Sequence, residues 1–100
     1  MLIWIPVDRA DEKFAEIIPL LNVQKWALID FDEGEVKSTK FFDKREDFSE
    51  WVDFIILENK FESYIEFMNE GIMVLSVRDE RTIEDIIEAF KFKELDEVGL

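Results

Sequence analysis

The stretch that decides the fold class is Leu2–Val7, which consists of the residues LIWIPV. This run is continuously apolar and contains three β-branched residues, a pattern typical of a β-strand that is buried on both faces. Pro6 cannot donate a hydrogen bond to a neighbouring strand, so we expect it near the end of the strand or at a bulge. A strand of this kind lies inside a sheet that is covered on both sides.

The runs that follow predict the rest of a mixed sheet. Residues 25–32 and 35–42 flank Glu33-Gly34 and predict a β-hairpin, whose alternating second strand carries two lysines and suits a sheet edge. Residues 52–57 and 72–77 are two further buried-strand runs. Because a βα unit joins parallel strands by a right-handed crossover, we predict an α/β fold with a mixed five-stranded sheet and helices on its faces.

Four helices are expected between and after these strands. Residues 11–18 show helical spacing, and Pro19 limits this helix to about two turns. Residues 43–51 open with a capping-box pattern and predict a second short helix. Gly71 is placed to end the third helix, and Thr82 is placed to cap the fourth. The residues expected to pack the third and fourth helices are Phe61, Tyr64, Ile65 and Met68, then Ile83, Ile86, Ile87 and Phe90.

Composition excludes several classes of function. The 100 residues are enough for one domain, residues 1–100, and their net charge of −13 argues against binding to nucleic acid or to an anionic membrane. The sequence has no cysteine and no histidine, which removes thiolate nucleophiles, imidazole bases and the usual zinc or iron–sulfur ligands. With no leader or membrane span recognised, we expect a cytoplasmic protein.

Charged and polar residues follow each of the strands predicted to run parallel. Ligands of open α/β sheets bind outside the carboxyl ends of such strands, so these residues are candidates for a binding site. Solvated loops would carry the same residue types without any ligand, and that alternative stays open. The candidate ligand-binding residues are Asp8, Asp11, Glu58, Asn59, Lys60 and Arg78.

Aromatic residues are numerous for so small a core, and some are candidates for an interface. Phe67 and Phe92 lie off the predicted helical stripes, and the pair Phe41-Phe42 ends the outer hairpin strand, where it suits edge pairing into a homodimer. A thick aromatic core is the alternative explanation. Residues 41–100 also carry most of the negative charge, with 17 acids and 7 bases, which fits either solvated helices or a basic protein partner.

Several stretches, in the same order along the chain, resemble the dinitrogenase iron–molybdenum cofactor biosynthesis family, whose small accessory domains bind or carry nitrogenase cofactor precursors. This resemblance implies a ribonuclease H-like three-layer α/β sandwich and a nitrogenase accessory factor-like domain over residues 1–100. The stretches that carry it are Met1–Asp8, Trp26–Val36, Val52–Ile56, Glu70–Val74 and Thr82–Phe90.

The chain departs from that family where a metal cofactor would be held. Family members typically carry a His-Phe-Gly segment before the second strand, and residues 16–21 here contain neither histidine nor glycine. Met68 and Met73 are expected to pack in the core. The resemblance and these departures together predict a non-enzymatic binding protein that has lost cofactor binding and uses no metal or other cofactor.

Two other functions stay open. One is a protein-interaction or dimerisation module. The other is a carboxylate-metal-dependent phosphodiesterase of the ribonuclease H-like type, in which Asp8 and Asp30 would bind two Mg²⁺ ions about 4 Å apart.

Overall fold

A six-stranded mixed sheet forms the centre of the protein, in a computed structural model that describes residues 1–99. Leu100, the last residue of the predicted domain 1–100, lies outside the described residues. The spatial order of the strands is β3-β2-β1-β4-β5-β6. The strands are β1 Leu2–Val7, β2 Lys25–Asp32, β3 Glu35–Phe42, β4 Phe54–Leu57, β5 Met73–Ser76 and β6 Asp96–Glu97. The helices are α1 Ile65–Asn69 and α2 Ile83–Lys91, with single 3₁₀ turns at Leu20–Asn22 and Arg45–Asp47.

The directions of the strands confirm the predicted mixed sheet, but the predicted number of strands is wrong. Strand β1 is parallel to β4, and β4 is parallel to β5. The hairpin adds β2 and β3 in antiparallel pairing. The sixth strand, β6, pairs antiparallel to β5 through Glu97 opposite Leu75 and Asp96 opposite Ser76. Because β6 is two acidic residues long, it carries no hydrophobic period from which a strand could be predicted.

Strand β1 supplies both faces of the sheet with core residues, as the sequence predicts. Ile3, Ile5 and Val7 pack into one core together with α2, and Trp4 packs into the opposite core. Pro6 lies near the end of the strand, beyond the Ile3 and Trp4 positions that pair with β4. The missing Pro6 donor therefore breaks no bond between these two strands.

The hairpin matches the prediction at both of its strands and at its turn. Glu33 and Gly34 both have positive φ, at 53° and 80°, which is the backbone geometry of a tight type I′ hairpin turn. β3 lies at one edge of the sheet and is mostly exposed. Its lysines, Lys37 and Lys40, sit on this open edge, where charge opposes pairing with another chain.

The prediction of a helix over residues 11–18 is wrong, because this segment forms a turn followed by an extended stretch. The Asp11 carboxylate accepts hydrogen bonds from the N–H groups of Lys13 and Phe14 and holds a turn there. Ile17 and Ile18 then donate their N–H groups to the carbonyl oxygens of Arg81 and Pro6. These hydrogen bonds to distant parts of the chain replace the bonds that a helix would make within the segment.

A short helix is predicted over residues 43–51, but the structure has one 3₁₀ turn there, Arg45–Asp47. Asp43, the predicted cap, instead pairs with the ammonium of Lys25 on β2. The Lys44 N–H donates to the Asp47 carboxylate, so the cap is shifted by one residue. Asp43 thus pairs with Lys25 instead of making the capping interaction that its position in sequence predicts.

The third helix is shorter than predicted and buries a different residue. α1 begins only at Ile65, because Asn59 and Glu62 hold residues 59–62 in a hydrogen-bonded turn. Phe67 is 6% exposed and packs in the core, whereas Phe61 is 86% exposed. The prediction of Phe67 as an interface residue is therefore wrong, since its ring faces the sheet. Met68 and Met73 are exposed as well, against the expectation that they pack in the core.

The last helix and both of its signals are confirmed. The Thr82 hydroxyl accepts the N–H of Asp85 at 3.2 Å, and Ile83, Ile86 and Ile87 are buried.

Gly71 ends α1 with a φ of 82°, and a Cβ at this position would lie 2.8 Å from the ring of Trp51. None of the helices within residues 1–99 has the length and apolar character to cross a membrane.

The corrected packing of α1 predicts unequal effects for its two phenylalanines. Phe67→Ala should lower the free energy of unfolding by about 3–5 kcal/mol, the usual cost of truncating a buried aromatic residue. Phe61→Ala should change it by less than about 0.5 kcal/mol, because the ring is already in solvent. Urea unfolding of the two variants measures the difference, and equal losses would contradict the packing of α1.

Candidate functional site

The carboxyl edge of the parallel strands is where the sequence places a binding site. Asp8 follows β1, Glu58 follows β4 and Arg78 follows β5 at this edge. Each of these three side chains is already held by another part of the protein, and those partners decide what the edge can bind.

Arg81 is the centre of the largest group of interactions at this edge. Its guanidinium donates to Glu58 Oε2 at 3.2 Å and to the carbonyl oxygen of Ile17 at 2.8 Å, and it lies 3.9 Å from the Glu16 carboxylate. The amide of Asn59 donates to the second Glu58 oxygen at 3.0 Å. Hydrogen bonds from Asn59 and Arg81 lower the pKa of Glu58, so its carboxylate stays ionised and occupied.

The acids after β1 are also engaged. Arg9 donates twice to the Asp8 carboxylate, at 3.0 and 3.2 Å, and the Glu16 N–H donates to it at 3.0 Å. The bond from Arg9 is the main cause that lowers the pKa of Asp8. At Asp11 the backbone N–H groups of Phe14 and Lys13 lower the pKa in the same way. Both carboxylates therefore serve to shape the loop after β1.

The remaining candidates do not join this group. Arg78 pairs with Asp96 of β6 at 2.9 Å, and this contact raises the Arg78 pKa. The Lys60 ammonium lies 5.6 Å from the centre of the Phe61 ring. Of the six predicted binding residues, the structure brings only Glu58 and Asn59 into direct contact with each other.

A two-metal site at Asp8 and Asp30 is excluded by the register of β1. Asp30 is paired with Leu2 at the start of the strand, whereas Asp8 follows its last residue, Val7. A six-residue strand is about 20 Å long, far more than the separation of two catalytic metal ions. Within residues 1–99, no three acidic side chains are grouped so that they could hold a metal ion.

A cavity that the sequence did not predict lies at the opposite, amino edge of the same strands. It has a volume of about 590 Å³ and opens between the hairpin turn, the first residues of β1, β4 and β5, and the end of α2. We call it the amino-edge groove. Its lining residues are Met1, Phe31, Gly34, Phe54, Met73, Leu75, Phe90, Lys91, Phe92, Lys93, Leu95 and Glu97.

The floor of the amino-edge groove is aromatic and rigid. The Phe90 ring makes edge-to-face contacts with Phe31 and Phe54, with ring centres 5.5 and 5.0 Å apart. These rings belong to α2, β2 and β4, so three elements hold the floor in place. The floor is therefore part of the core rather than a loop that must order around a ligand.

The walls of the groove expose apolar side chains to solvent. Met1, Met73 and Phe92 are 50%, 53% and 63% exposed. Phe92 is thus the one predicted interface residue that is clearly exposed; Phe41 and Phe42 are half-buried against the two cores. The position of Phe92 off the α2 stripe was the sequence signal that could have located this groove.

Two further cavities flank the sheet. One, of about 550 Å³, continues from the amino-edge groove between β3 and α2 and shares Phe31, Gly34 and Lys91 with it. The other, of about 330 Å³, lies on the opposite face beside Trp51. Arg45 lines this second cavity and forms an ion pair with Glu70. The first adjoins the amino-edge groove but is lined by four glutamates and two lysines as well as apolar residues. The second is smaller and already contains the Arg45 charge.

The fold defines the class of the protein as a mixed α/β domain with one open sheet, and solved structures share that fold. A crystal structure of a “putative dinitrogenase” from Methanocaldococcus jannaschii matches with a TM-score of 0.78 at 23% identity, over 99% of this chain and 95% of that chain. An NMR structure of a “putative dinitrogenase” from Methanococcus jannaschii matches with a TM-score of 0.77 at 21% identity, over 100% and 94% of the two chains.

A third structure, of a protein named PH0822, has a TM-score of 0.73 at 18% identity and covers 97% of this chain and 96% of that chain. None of the protein-family models matches the sequence. No curated protein matches it either. Because all three identities are below 25%, the comparisons establish a common fold and leave the function to the site itself.

The residues of this chain do not fit an iron–sulfur cofactor. Such clusters are bound by thiolates or imidazoles, and the sequence contains neither cysteine nor histidine. The methionine side chains of Met1 and Met73 line the amino-edge groove, and a thioether is a poor substitute for a thiolate or an imidazole. The groove therefore presents apolar side chains and two lysines rather than thiolate or imidazole ligands.

The role of Glu58 predicts a pH-dependent loss of stability. Its folded-state pKa is lowered from an ordinary value of about 4.3, so ionised Glu58 stabilises the fold above that pH. The contribution is lost as the pH falls from about 4.3 through the lowered pKa. Glu58→Gln should cost about 1 kcal/mol at pH 7 and progressively less in acid.

Urea unfolding at pH 7 and pH 3 measures this change. Glu12→Gln is the matched control, because it removes the same charge from an exposed side chain. A cost for Glu58→Gln that is the same at both pH values would contradict the structural role of the carboxylate.

Proposed function

We propose that the protein is a non-catalytic binding protein that holds a small apolar-bodied organic ligand in the amino-edge groove. In this proposal it is a nitrogenase accessory factor-like domain with a ribonuclease H-like fold, in which metal-cofactor binding has been replaced by binding of an organic molecule. The sequence resemblance and the shared fold support the family relationship, and the absent thiolates and imidazoles support the change of ligand.

One observation carries this proposal. The amino-edge groove has the volume typical of small-molecule sites, about 300–1,000 Å³, and exposed methionine and phenylalanine side chains form its walls. Water leaves such apolar surface favourably when a ligand covers it, by about 25 cal/mol per Å². Methionine walls also adapt to the shape of a ligand, because the side chain is unbranched and flexible.

The carboxyl edge supports a structural role rather than a catalytic one. Its acids, Asp8 and Glu58, have lowered pKa values and accept hydrogen bonds from Arg9, Asn59 and Arg81. A general acid or base needs a pKa near the working pH. The pKa values of these two carboxyl groups are shifted in the opposite direction, which supports a structural role for them.

A neutral fluorescent probe of apolar sites, N-phenyl-1-naphthylamine, tests the groove. We expect saturable binding with one site per chain. Met73→Trp should weaken it by about tenfold or more, since an indole would occupy the groove and cost at least about 1.4 kcal/mol of binding free energy. Met68→Trp is the matched control, because Met68 is similarly exposed but does not line the groove.

Two results would overturn the proposal. One is the absence of saturable binding, or equal weakening by both tryptophan variants. The other is stoichiometric uptake of an iron–sulfur species when the purified protein is reconstituted anaerobically with iron and sulfide. That second result would restore the cofactor-carrier function implied by the family.

A second candidate function, a dimerisation module, is favoured by an apolar patch at the carboxyl edge. Leu21 is 98% exposed and Phe61 is 86% exposed. The Glu62 carboxylate accepts the N–H of Leu20, which brings the 3₁₀ turn at Leu20–Asn22 beside the turn that contains Phe61. In this module the partner copy covers both side chains, which removes their apolar surface from water.

This module predicts a dimer whose stability increases with salt. Two copies with a charge of −13 repel each other, and salt screens that repulsion without weakening apolar contacts. Sedimentation equilibrium at micromolar concentration should detect a larger fraction of dimer at about 0.5 M salt than at low salt. The double substitution Leu21→Ser and Phe61→Ser should give monomers, and a wild-type monomer under all conditions would exclude this function.

A further inference from the structure

The amino-edge groove has an ionic character that the proposed function does not use. We propose that its ligand is an amphipathic anion, a carboxylate with an extended apolar body, whose carboxylate binds Lys91 and Lys93. This inference rests on the proposed function, because it names the class of ligand that the same groove accepts.

The charges that line the groove are opposite to the charge of the protein. Two lysines and one acid, Glu97, contribute to the lining, in a chain with 25 acids and 12 bases. The local excess is therefore positive where the whole molecule is strongly negative. A cationic ligand would be attracted to most of this protein's surface, whereas an anion is attracted only to places where exposed lysines such as these lie.

Both lysines are available to a ligand. All four arginines of the chain form ion pairs, with Asp8, Glu70, Asp96 and Glu58 among their partners. Within residues 1–99, Lys91 and Lys93 form no ion pair, and both side chains are exposed. The Lys91 ammonium lies 5.9 Å from the centre of the Phe92 ring, at the mouth of the groove.

The sequence of this segment alternates aromatic and cationic side chains. Phe90, Lys91, Phe92 and Lys93 all line the groove. Phe90 contributes to the floor, Phe92 to the wall, and the two ammonium groups belong to the same stretch of chain. A ligand whose apolar part covers the groove floor would thus have its carboxylate near the ammonium groups of Lys91 and Lys93. These groups bind a carboxylate through charge-assisted hydrogen bonds.

The end of α2 offers another explanation for these lysines. Cations at the carboxyl end of a helix interact favourably with the helix dipole. Lys93 also adopts a positive φ of 58°, a conformation in which glycine or asparagine is more usual after a helix. A role confined to the helix would change the stability of α2 and would be indifferent to the charge of a ligand, so binding selectivity separates the two roles.

Three probes with the same twelve-carbon body test the proposal: dodecanoate, dodecanol and dodecyltrimethylammonium. Displacement of N-phenyl-1-naphthylamine from the wild-type protein gives their relative affinities. We expect dodecanoate to bind about tenfold more tightly than dodecanol, the gain of one or two exposed ion pairs. The cationic probe should bind most weakly at the groove, despite the net charge of −13.

The variant for this test is Lys91→Gln with Lys93→Gln. It should remove the advantage of dodecanoate, so that the ratio of the dodecanoate and dodecanol affinities falls to about one. Lys40→Gln with Lys60→Gln is the matched control, because it changes the net charge equally at exposed lysines outside the groove. Naphthalene-1-carboxylate in place of dodecanoate shows whether the apolar body is an aryl or an acyl group.

The outcomes distinguish this inference from the proposed function. If dodecanol binds as tightly as dodecanoate, or if the Lys91 and Lys93 variant leaves their ratio unchanged, the groove exists but does not select anions. Preferential binding of the cation would overturn the inference in the same way. If none of the probes displaces N-phenyl-1-naphthylamine and that probe itself does not bind, the proposed function fails as well.

Discussion

The double burial of β1 is the constraint on which the rest of the structure depends. Ile3 and Ile5 face the core under α2, and Trp4 faces the core on the opposite side. A strand with no solvated face needs packed elements on both faces of the sheet, and β1 also has a neighbouring strand on each edge. The hairpin and β4 supply the neighbouring strands, while α2 and the shorter elements opposite it supply the covering layers. The two ends of the parallel strands, like the outer strand β3, remain open to solvent.

These two ends differ because their charged groups are used differently. At the carboxyl edge, the Arg81 guanidinium donates to Glu58 and to the carbonyl oxygen of Ile17, and Arg9 donates to the Asp8 carboxylate. A ligand at this edge would first have to displace hydrogen bonds that stabilise the fold. At the amino edge, α2 ends beside the first residues of the strands, and it leaves the aromatic floor around Phe90 partly uncovered. Exposed apolar side chains and two lysines without an ion pair, Lys91 and Lys93, thus lie together at the edge that α/β proteins use less often.

Sequence reasoning succeeded where one pattern extended over a whole element. Strands β1 to β5 and helix α2 carry apolar residues in a pattern typical of the element that they form. It failed for the short segments, because a single distant partner decided their conformation. Asp43 forms an ion pair with Lys25 instead of capping a helix. The N–H groups of residues 17 and 18 donate to the carbonyl oxygens of Arg81 and Pro6. For elements of one or two turns, a few hydrogen bonds outweigh intrinsic helix preference.

The amino-acid sequence by itself determined the α/β class, the hairpin, the acidity, and the absence of thiolate and imidazole chemistry. These properties depend on composition or on the period of neighbouring residues, both of which are local. Only the tertiary structure decided that Phe67 is buried while Phe61 is exposed, and that Lys91 and Lys93 border an apolar groove. The physical reason is that burial and charge pairing depend on groups from distant parts of the chain, which the folded sheet brings together.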